Sequence, residues 1–422
     1  MPASLLLTNL NQVVTLRGTV PRRGAALSNP GVIRGGAVLI AGGKIAAAGP
    51  RGKIESLPEA RYAAKVDAGG RIVLPGFVDS HTHFIFAGSR ADEYEQRIAG
   101  ANYEEIARKG GGILSTVRKL RSSSPDALKK RAEAALKRFA EHGTTTIEAK
   151  SGYGLDVASE FKILQLQREL RRTQPVDILS TLLGAHVLPP EYRGRGKSSD
   201  DYVELLVQRM IPEIAREGLA EFCDVFCDRG AFTVTQARKI LTAGRACGLV
   251  PRLHAEQLAR TGATQLGVAL HAASCDHLEK INRADIRALA QSDTVATLLP
   301  GSCFHLGLNQ YAPARALIEA GAIVCLATDY NPGTSPTLSM ATILSLACTQ
   351  MRMTPAETLA AATSNAAFSI GRHKQIGSIE RGKLADLAVF DLDDYREIPY
   401  YFGVNHVWLT LKRGQPIFSR NS

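Results

Sequence analysis

The sequence predicts an α/β protein, a (β/α)8 TIM-like barrel accompanied by a small β-sandwich domain built from both termini. Three observations predict it. Short β-rich apolar runs alternate with amphipathic segments through the middle of the chain. Polar side chains recur where those runs stop. Both ends read as short strands and turns, and neither holds enough strands for a core of its own.

Eight runs qualify as barrel strands: 72–80, 144–149, 176–185, 219–227, 249–253, 272–276, 294–299 and 322–328. Helical patterns lie between them at 125–142, 157–172, 201–217 and 233–247, and two more follow at 338–351 and 355–370. Several open on Ser, Thr or Asp, or carry Pro in the first turn, as helix starts do. The predicted division is a barrel over 71–376 and a composite sandwich from 1–70 with 377–422. The stretch Gly110-Gly111-Gly112 lacks the Lys-Ser/Thr of a phosphate loop and reads as a rim or turn.

Of 422 residues, 45% are hydrophobic and 22% charged, the composition of a soluble protein that buries a large core. No apolar run approaches the roughly 20 residues that span a bilayer. The start, MPASLLLTNLNQ, lacks the basic and apolar regions of a signal peptide. The seven cysteines sit singly with no C-x-x-C pair, so free thiols in a reducing cytoplasm are expected. The net charge of +11 raises a nucleic-acid reading. However, clusters such as Lys129-Lys130-Arg131 lie in helical segments mixed with Glu, without aromatic interleaving. They read as solvated helix faces, and the expected partner is a small molecule.

The polar strand ends carry the chemistry. Run one ends in His81-Thr82-His83, run two enters Lys150-Ser151-Gly152-Tyr153, and run three ends at His186. Runs five, six and eight end at His254, His277 and Asp329. A βα barrel places all of these on its C-terminal rim. His81 and His83 are two apart on an extended segment, so both point the same way. With His254 and Asp329 they offer three nitrogens and one oxygen, a set suited to zinc or iron.

The stretches LPGFVDSHTH, TTTIEAKSGYGLD, LLGAHVLPPEY, RLHAEQL, SCDHLE and LATDYNPGTSP resemble the amidohydrolase superfamily, as does the ending GSIERGKLADLAVFD. The resemblance covers most of the barrel, from about residue 71 to residue 340. Within the superfamily it points to the members that hydrolyse 4-imidazolone-5-propanoate to N-formimidoyl-L-glutamate in histidine degradation, by attack of a metal-activated water on the ring amide carbonyl. It implies that His81, His83, His254 and Asp329 bind the metal, zinc or iron. It further implies that Arg90, Tyr153, His186, Asn331, Gly333 and Thr334 contact substrate, and that the protein is a homodimer. A propionate tail suits the planar fork of Arg90. Gly333 and Thr334 could offer backbone N–H groups to a carboxylate, though turn chemistry alone also explains Asn-Pro-Gly-Thr.

One position departs from the pattern. Many members carry a proton-shuttling Glu three residues after the fifth-strand histidine, where this chain has Gln257. Gln257 is therefore expected to orient substrate, leaving proton handling to His277 and Asp329, with His186 or His277 facing the developing oxyanion. A deaminase of the same superfamily is the nearest alternative, but it calls for that Glu. A metal-free scaffold is the alternative from another class, and an intact ligand set argues against it.

Overall fold

The computed structural model describes residues 4–101, 105, 110–194 and 196–420. The chain opens with the strands β1 (Ser4–Val14), β2 (Val32–Ala41), β3 (Lys44–Pro50), β4 (Ala64–Asp67) and β5 (Ile72–Pro75). The barrel strands follow: β6 (Phe77–Thr82), β7 (Thr144–Lys150), β8 (Asp177–Ala185), β9 (Phe222–Cys227), β10 (Val250–Ala255), β11 (Ser274–His277), β12 (Val295–Leu298) and β13 (Val324–Leu326). Three closing strands, β14 (Leu387–Phe390), β15 (Val407–Lys412) and β16 (Gln415–Ser419), return to the first group.

β6 to β13 form one parallel sheet in sequence order, each strand beside the next. It closes on itself at its C-terminal end, where His83 N donates to Tyr330 O (2.9 Å) and Asp329 N to His81 O (3.0 Å). The strands are buried on both faces, which is why their sequences are apolar runs without alternation. The eight strands of the second sheet come from both termini; β14 lies between β15 and β5, and β1 pairs with β2, β4 and β5. Leu7, Val13, Val38, Val73, Leu387 and Leu409 form its core.

The predicted run 72–80 is two strands. Gly76 separates them: its N–H donates to Asp386 O in the terminal sheet, and the next, Phe77 N, donates to Gly143 O in the barrel (2.8 and 2.9 Å). A Cβ at Gly76 would stand 2.3 Å from Thr145 Cγ2, so only glycine allows this crossing. Pro75-Gly76 is the sequence mark of this break, and the predicted run passes over it because Ile72–Pro75 and Phe77-Val78 on either side are apolar. The predicted helix 201–217 contains a π turn at Leu206–Met210, and Pro212 follows in the next turn without an N–H to continue the α ladder. The predicted helix 355–370 divides into Pro355–Ala361 and Ser364–Ser369, and Ala362 O instead accepts from Val78 N of β6.

The helix starts follow their capping chemistry. Ser198 with Asp201, Thr233 with Gln236, Asn282 with Asp285 and Thr354 with Glu357 each close a reciprocal capping box. Of the glycine stretch, Gly112 caps the helix Ile113–Ser122 at a φ of +75°. No helix among the described residues is long and apolar enough to cross a membrane.

Candidate active site

Each strand end delivers its side chain to one end of the barrel. His81 belongs to β6 and His83 follows it, His254 sits in β10, and Asp329 follows β13. The three imidazoles each place a nitrogen within 4.8 Å of the others. His254 Nε2 is 3.4 Å from His83 Nε2. Asp329 Oδ1 lies 3.5 Å from His81 Nε2 and 3.7 Å from His83 Nε2. Asp329 and His277 have left-handed backbones, at φ of +53° and +82°, where the chain turns sharply out of its strand. Such strain persists only where surrounding bonds fix it. Here the Asp329 N–H is held by His81 O, and its carbonyl accepts from Asn331 Nδ2 at 2.6 Å.

The electrostatics favour a cation at this point. Burial drives the pKa of His81 and His83 well below the ordinary imidazole value, and neighbouring cationic groups add to it, so both rings are neutral donors of lone pairs. Burial raises the Asp329 carboxyl to about 6, against the pull of His277 and His254. His81 Nε2 is buried and has no hydrogen-bond partner among the described residues. A neutral nitrogen left bare beside a carboxylate and two further imidazoles is the donor set that zinc or iron takes. The residues fit a metal.

A cavity of about 70 Å³ opens beside this cluster, with Arg90, Tyr153, His186, Gln257, Asn331 and Thr334 around it. Ile113 and Phe226 add apolar wall. A larger pocket, about 560 Å³, lies near the N-terminal ends of β9 to β12, and none of the singled-out residues reaches it.

Arg90 is nearly buried and held by Glu93, whose Oε2 accepts from its Nε and Nη2 at 2.8 and 2.7 Å. The same Oε2 accepts from Gly112 N at 3.0 Å. Nη1 is left for another partner. Tyr153 is buried, which raises its phenol well above the usual value and keeps it neutral.

His186 lines the cavity with its ring orientation fixed. Its Nδ1 lies 3.0 Å from Gly152 O, and a carbonyl only accepts, so the ring's proton is on Nδ1 and Nε2 is an acceptor. Burial lowers its pKa to about 3. A neutral ring with its lone pair on Nε2 presents an acceptor at the cavity. His277 is the opposite case. Burial disfavours its charge, but Glu279, 3.6 Å from its Nδ1, with Asp329 and Asp276 outweighs burial and raises the pKa.

Gly333 and Thr334 show the turn chemistry of Asn-Pro-Gly-Thr. Their N–H groups donate to Asn331 Oδ1, at 2.8 and 2.7 Å. Gly333 has another reason to be glycine: a Cβ there would fall 2.0 Å from Arg90 Nη1. Gln257 lines the cavity, while its neighbour Glu256 points away. The Glu256 carboxylate accepts from the N–H groups of Thr261, Gly262 and Thr264, at 2.6 to 3.2 Å, and so caps the helix Ala263–Ala269.

Sequence reasoning missed the residues behind the histidines. Asp276 Oδ2 is 2.7 Å from His81 Nδ1, and Asp224 Oδ2 is 3.0 Å from His254 Nδ1. An acid inside an otherwise apolar run, as in EFCDVFC and SCDH, was the available signal.

Fold and site together define a metal-dependent hydrolase, and the chain belongs to the amidohydrolase family, whose model matches residues 72–417. It is 46% identical over 420 residues to imidazolonepropionase of Geobacillus kaustophilus, covering 98% of this chain and 97% of that protein. It is 48% identical over 421 residues to imidazolonepropionase of Solibacter usitatus, covering 99% of both. Among solved structures it resembles an adenosine deaminase from Xanthomonas campestris with bound zinc, at a TM-score of 0.73 and 19% identity over 99% of this chain and 94% of that one. A triazine hydrolase from Arthrobacter aurescens gives 0.73 at 18%, over 100% and 96% of the two chains. At such identities these two structures speak for the fold alone.

Proposed function

We propose that the protein hydrolyses 4-imidazolone-5-propanoate to N-formimidoyl-L-glutamate, opening the ring at its amide bond. The observation that carries this reading is the near-full-length similarity, at 46% and 48% identity, to imidazolonepropionases. His81, His83, His254 and Asp329 would hold one zinc or iron ion. Bound there, such an ion polarises a carbonyl and lowers the pKa of a water to about 7.

The chain's own residues do the rest. Arg90 Nη1 takes the propionate, with Glu93 fixing the plane of the guanidinium. Gly333 leaves room for that plane, and Asn331 holds the Gly333–Thr334 turn beside it. His186 Nε2 accepts from a ring N–H and so orients the imidazolone. His277, its pKa raised by Glu279, faces the carbonyl oxygen as negative charge develops on it. Asp329, raised to about 6, receives a proton from the attacking water and passes it to the ring nitrogen that leaves. Gln257 has no proton to transfer and orients substrate, while Tyr153 supplies a neutral hydroxyl on the wall.

The test is spectrophotometric turnover of imidazolonepropionate beside cytosine, guanine and adenosine, with the metal of the same sample identified by elemental analysis. Ring opening of the imidazolone alone is expected. A metal-loaded sample that leaves it intact, or that deaminates a nucleobase instead, overturns the reading. The seven free cysteines support a reducing compartment, the cytoplasm. The exposed Tyr400 and Phe402 support a homodimer, which light scattering reads directly.

A further inference from the structure

Two of the converging imidazoles are backed by a carboxylate each, and a single buried ammonium joins those carboxylates. Lys150 Nζ donates to Asp224 Oδ2 at 2.8 Å and to Glu148 Oε1 at 2.9 Å, and stands 3.5 Å from Asp276 Oδ2. Asp224 and Asp276 in turn face His254 Nδ1 and His81 Nδ1. The side chains of Lys150, Glu148, Asp224 and Asp276 are all 0% exposed. An ammonium has three protons, and here three carboxylates surround it.

Topology explains the arrangement. Lys150 ends β7, Asp224 lies on β9, His254 on β10 and Asp276 on β11, so the four reach the barrel interior from different strands. Arg252 is the other cation in this layer, yet it is committed elsewhere. It bonds Ser80 O at 3.0 Å and Ser369 O at 3.2 Å, and stays 3.9 Å from both Glu148 and Asp276. Without Lys150, Asp224 would lose its cationic hydrogen-bond donor, and three buried carboxylates would share Arg252 at long range. Like charges so close in a dry interior move apart unless something holds them.

We propose that Lys150 is a positioning residue for the metal centre: its ammonium fixes the Asp224 and Asp276 carboxylates, so that His254 and His81 keep their protons on Nδ1 and aim Nε2 at one point. Lys150 touches neither ion nor substrate. It acts two bonds removed, through the carboxylates that set tautomer and ring angle, the lever by which outer groups tune metal sites. This rests on the metal-centre reading above.

The experiment measures zinc dissociation constants by chelator competition on metal-stripped full-length protein. The proteins are wild type, Lys150→Met, Lys150→Gln, Asp224→Asn, and Lys150→Gln combined with Asp224→Asn, with circular dichroism reporting folding. Lys150→Met and Lys150→Gln are expected to weaken zinc binding by about 10- to 100-fold in folded protein. Once Asp224→Asn is present, Lys150→Gln is expected to add much less than it does alone, because the lysine works through the carboxylates. A folded neutral variant that binds zinc within about twofold of wild type overturns the proposal, as does full additivity in the double variant. If neither neutral variant folds, the ammonium serves the stability of the barrel and the proposal fails. Wild-type protein that takes up neither zinc nor iron refutes the metal-centre reading itself, and this inference with it.

Discussion

The Arg90 guanidinium packs against Gly333 so closely that a methyl group on Gly333 would sit 2.0 Å from Nη1. Glu93 closes the other side of the same guanidinium. The arginine is thus clamped between a carboxylate on its own helix and a turn that follows β13. Gly333→Ala is expected to push Arg90 out of this slot with little effect on the metal cluster. KM for imidazolonepropionate should rise about 10- to 100-fold, the worth of a charged hydrogen bond, while kcat changes little. Steady-state kinetics settle it; an equal fall in kcat at constant KM would show that Arg90 does not bind the ground-state carboxylate.

Gln257 and Glu256 are adjacent but belong to different tasks. Gln257 lines the cavity, whereas the Glu256 carboxylate is spent on three N–H groups at a helix start. Gln257→Ala should raise KM and leave the pH–rate profile unchanged in shape, since an amide does not titrate. Glu256→Ala should instead lower stability by about 1–3 kcal/mol, because it strands buried donors. Disappearance of a pH limb in either variant would mean that a proton passes through this segment after all.

Metal removal should cost stability as well as activity. With no cation, His81 Nε2 stays bare and the buried Asp329 carboxyl sits among imidazoles. Chelation is therefore expected to abolish turnover and to lower the melting temperature, and zinc or iron should restore both. At metal concentrations a thousandfold above Kd the stabilisation is about 4 kcal/mol. Calorimetry on stripped and reloaded protein gives the number. An unchanged melting temperature with full activity in verified metal-free protein would exclude a metal role.

How far the sequence revealed this depends on what each residue answers to. The H-x-H pair, His254 and Asp329 were legible because a strand fixes which way alternate side chains point and a barrel gathers strand ends. Arg90 and Tyr153 were legible through the family resemblance. Glu93 and Glu279 were not, and for Asp224 and Asp276 an acid within an apolar strand marks burial without naming its partner. The tautomer of His186 was out of reach for the same reason: Gly152 O decides it, 34 residues away. The break at Gly76 was marked only by the Pro75-Gly76 pair, which lies between the apolar Ile72–Pro75 and the apolar start of the next strand, Phe77-Val78.

The joint between the terminal sheet and the barrel hangs on Lys412 of β15. Its Nζ donates to Thr145 O of β7 at 3.0 Å and contacts Asp386 and Asp177, each at 2.7 Å. The side chains of Lys412 and Asp386 are 4% and 2% exposed, so neither has water to replace the other. Lys412→Met keeps the aliphatic stem and removes the charge, leaving Asp386 buried without its cation. Breaking a buried pair from one side costs about 3–5 kcal/mol, far more than a surface pair. The metal cluster is at the other end of β7 from Thr145, so kcat and zinc content should stay at wild-type values while the urea midpoint falls. A loss below about 1 kcal/mol would mean that Asp386 finds a proton or solvent, and that apolar packing alone carries the joint.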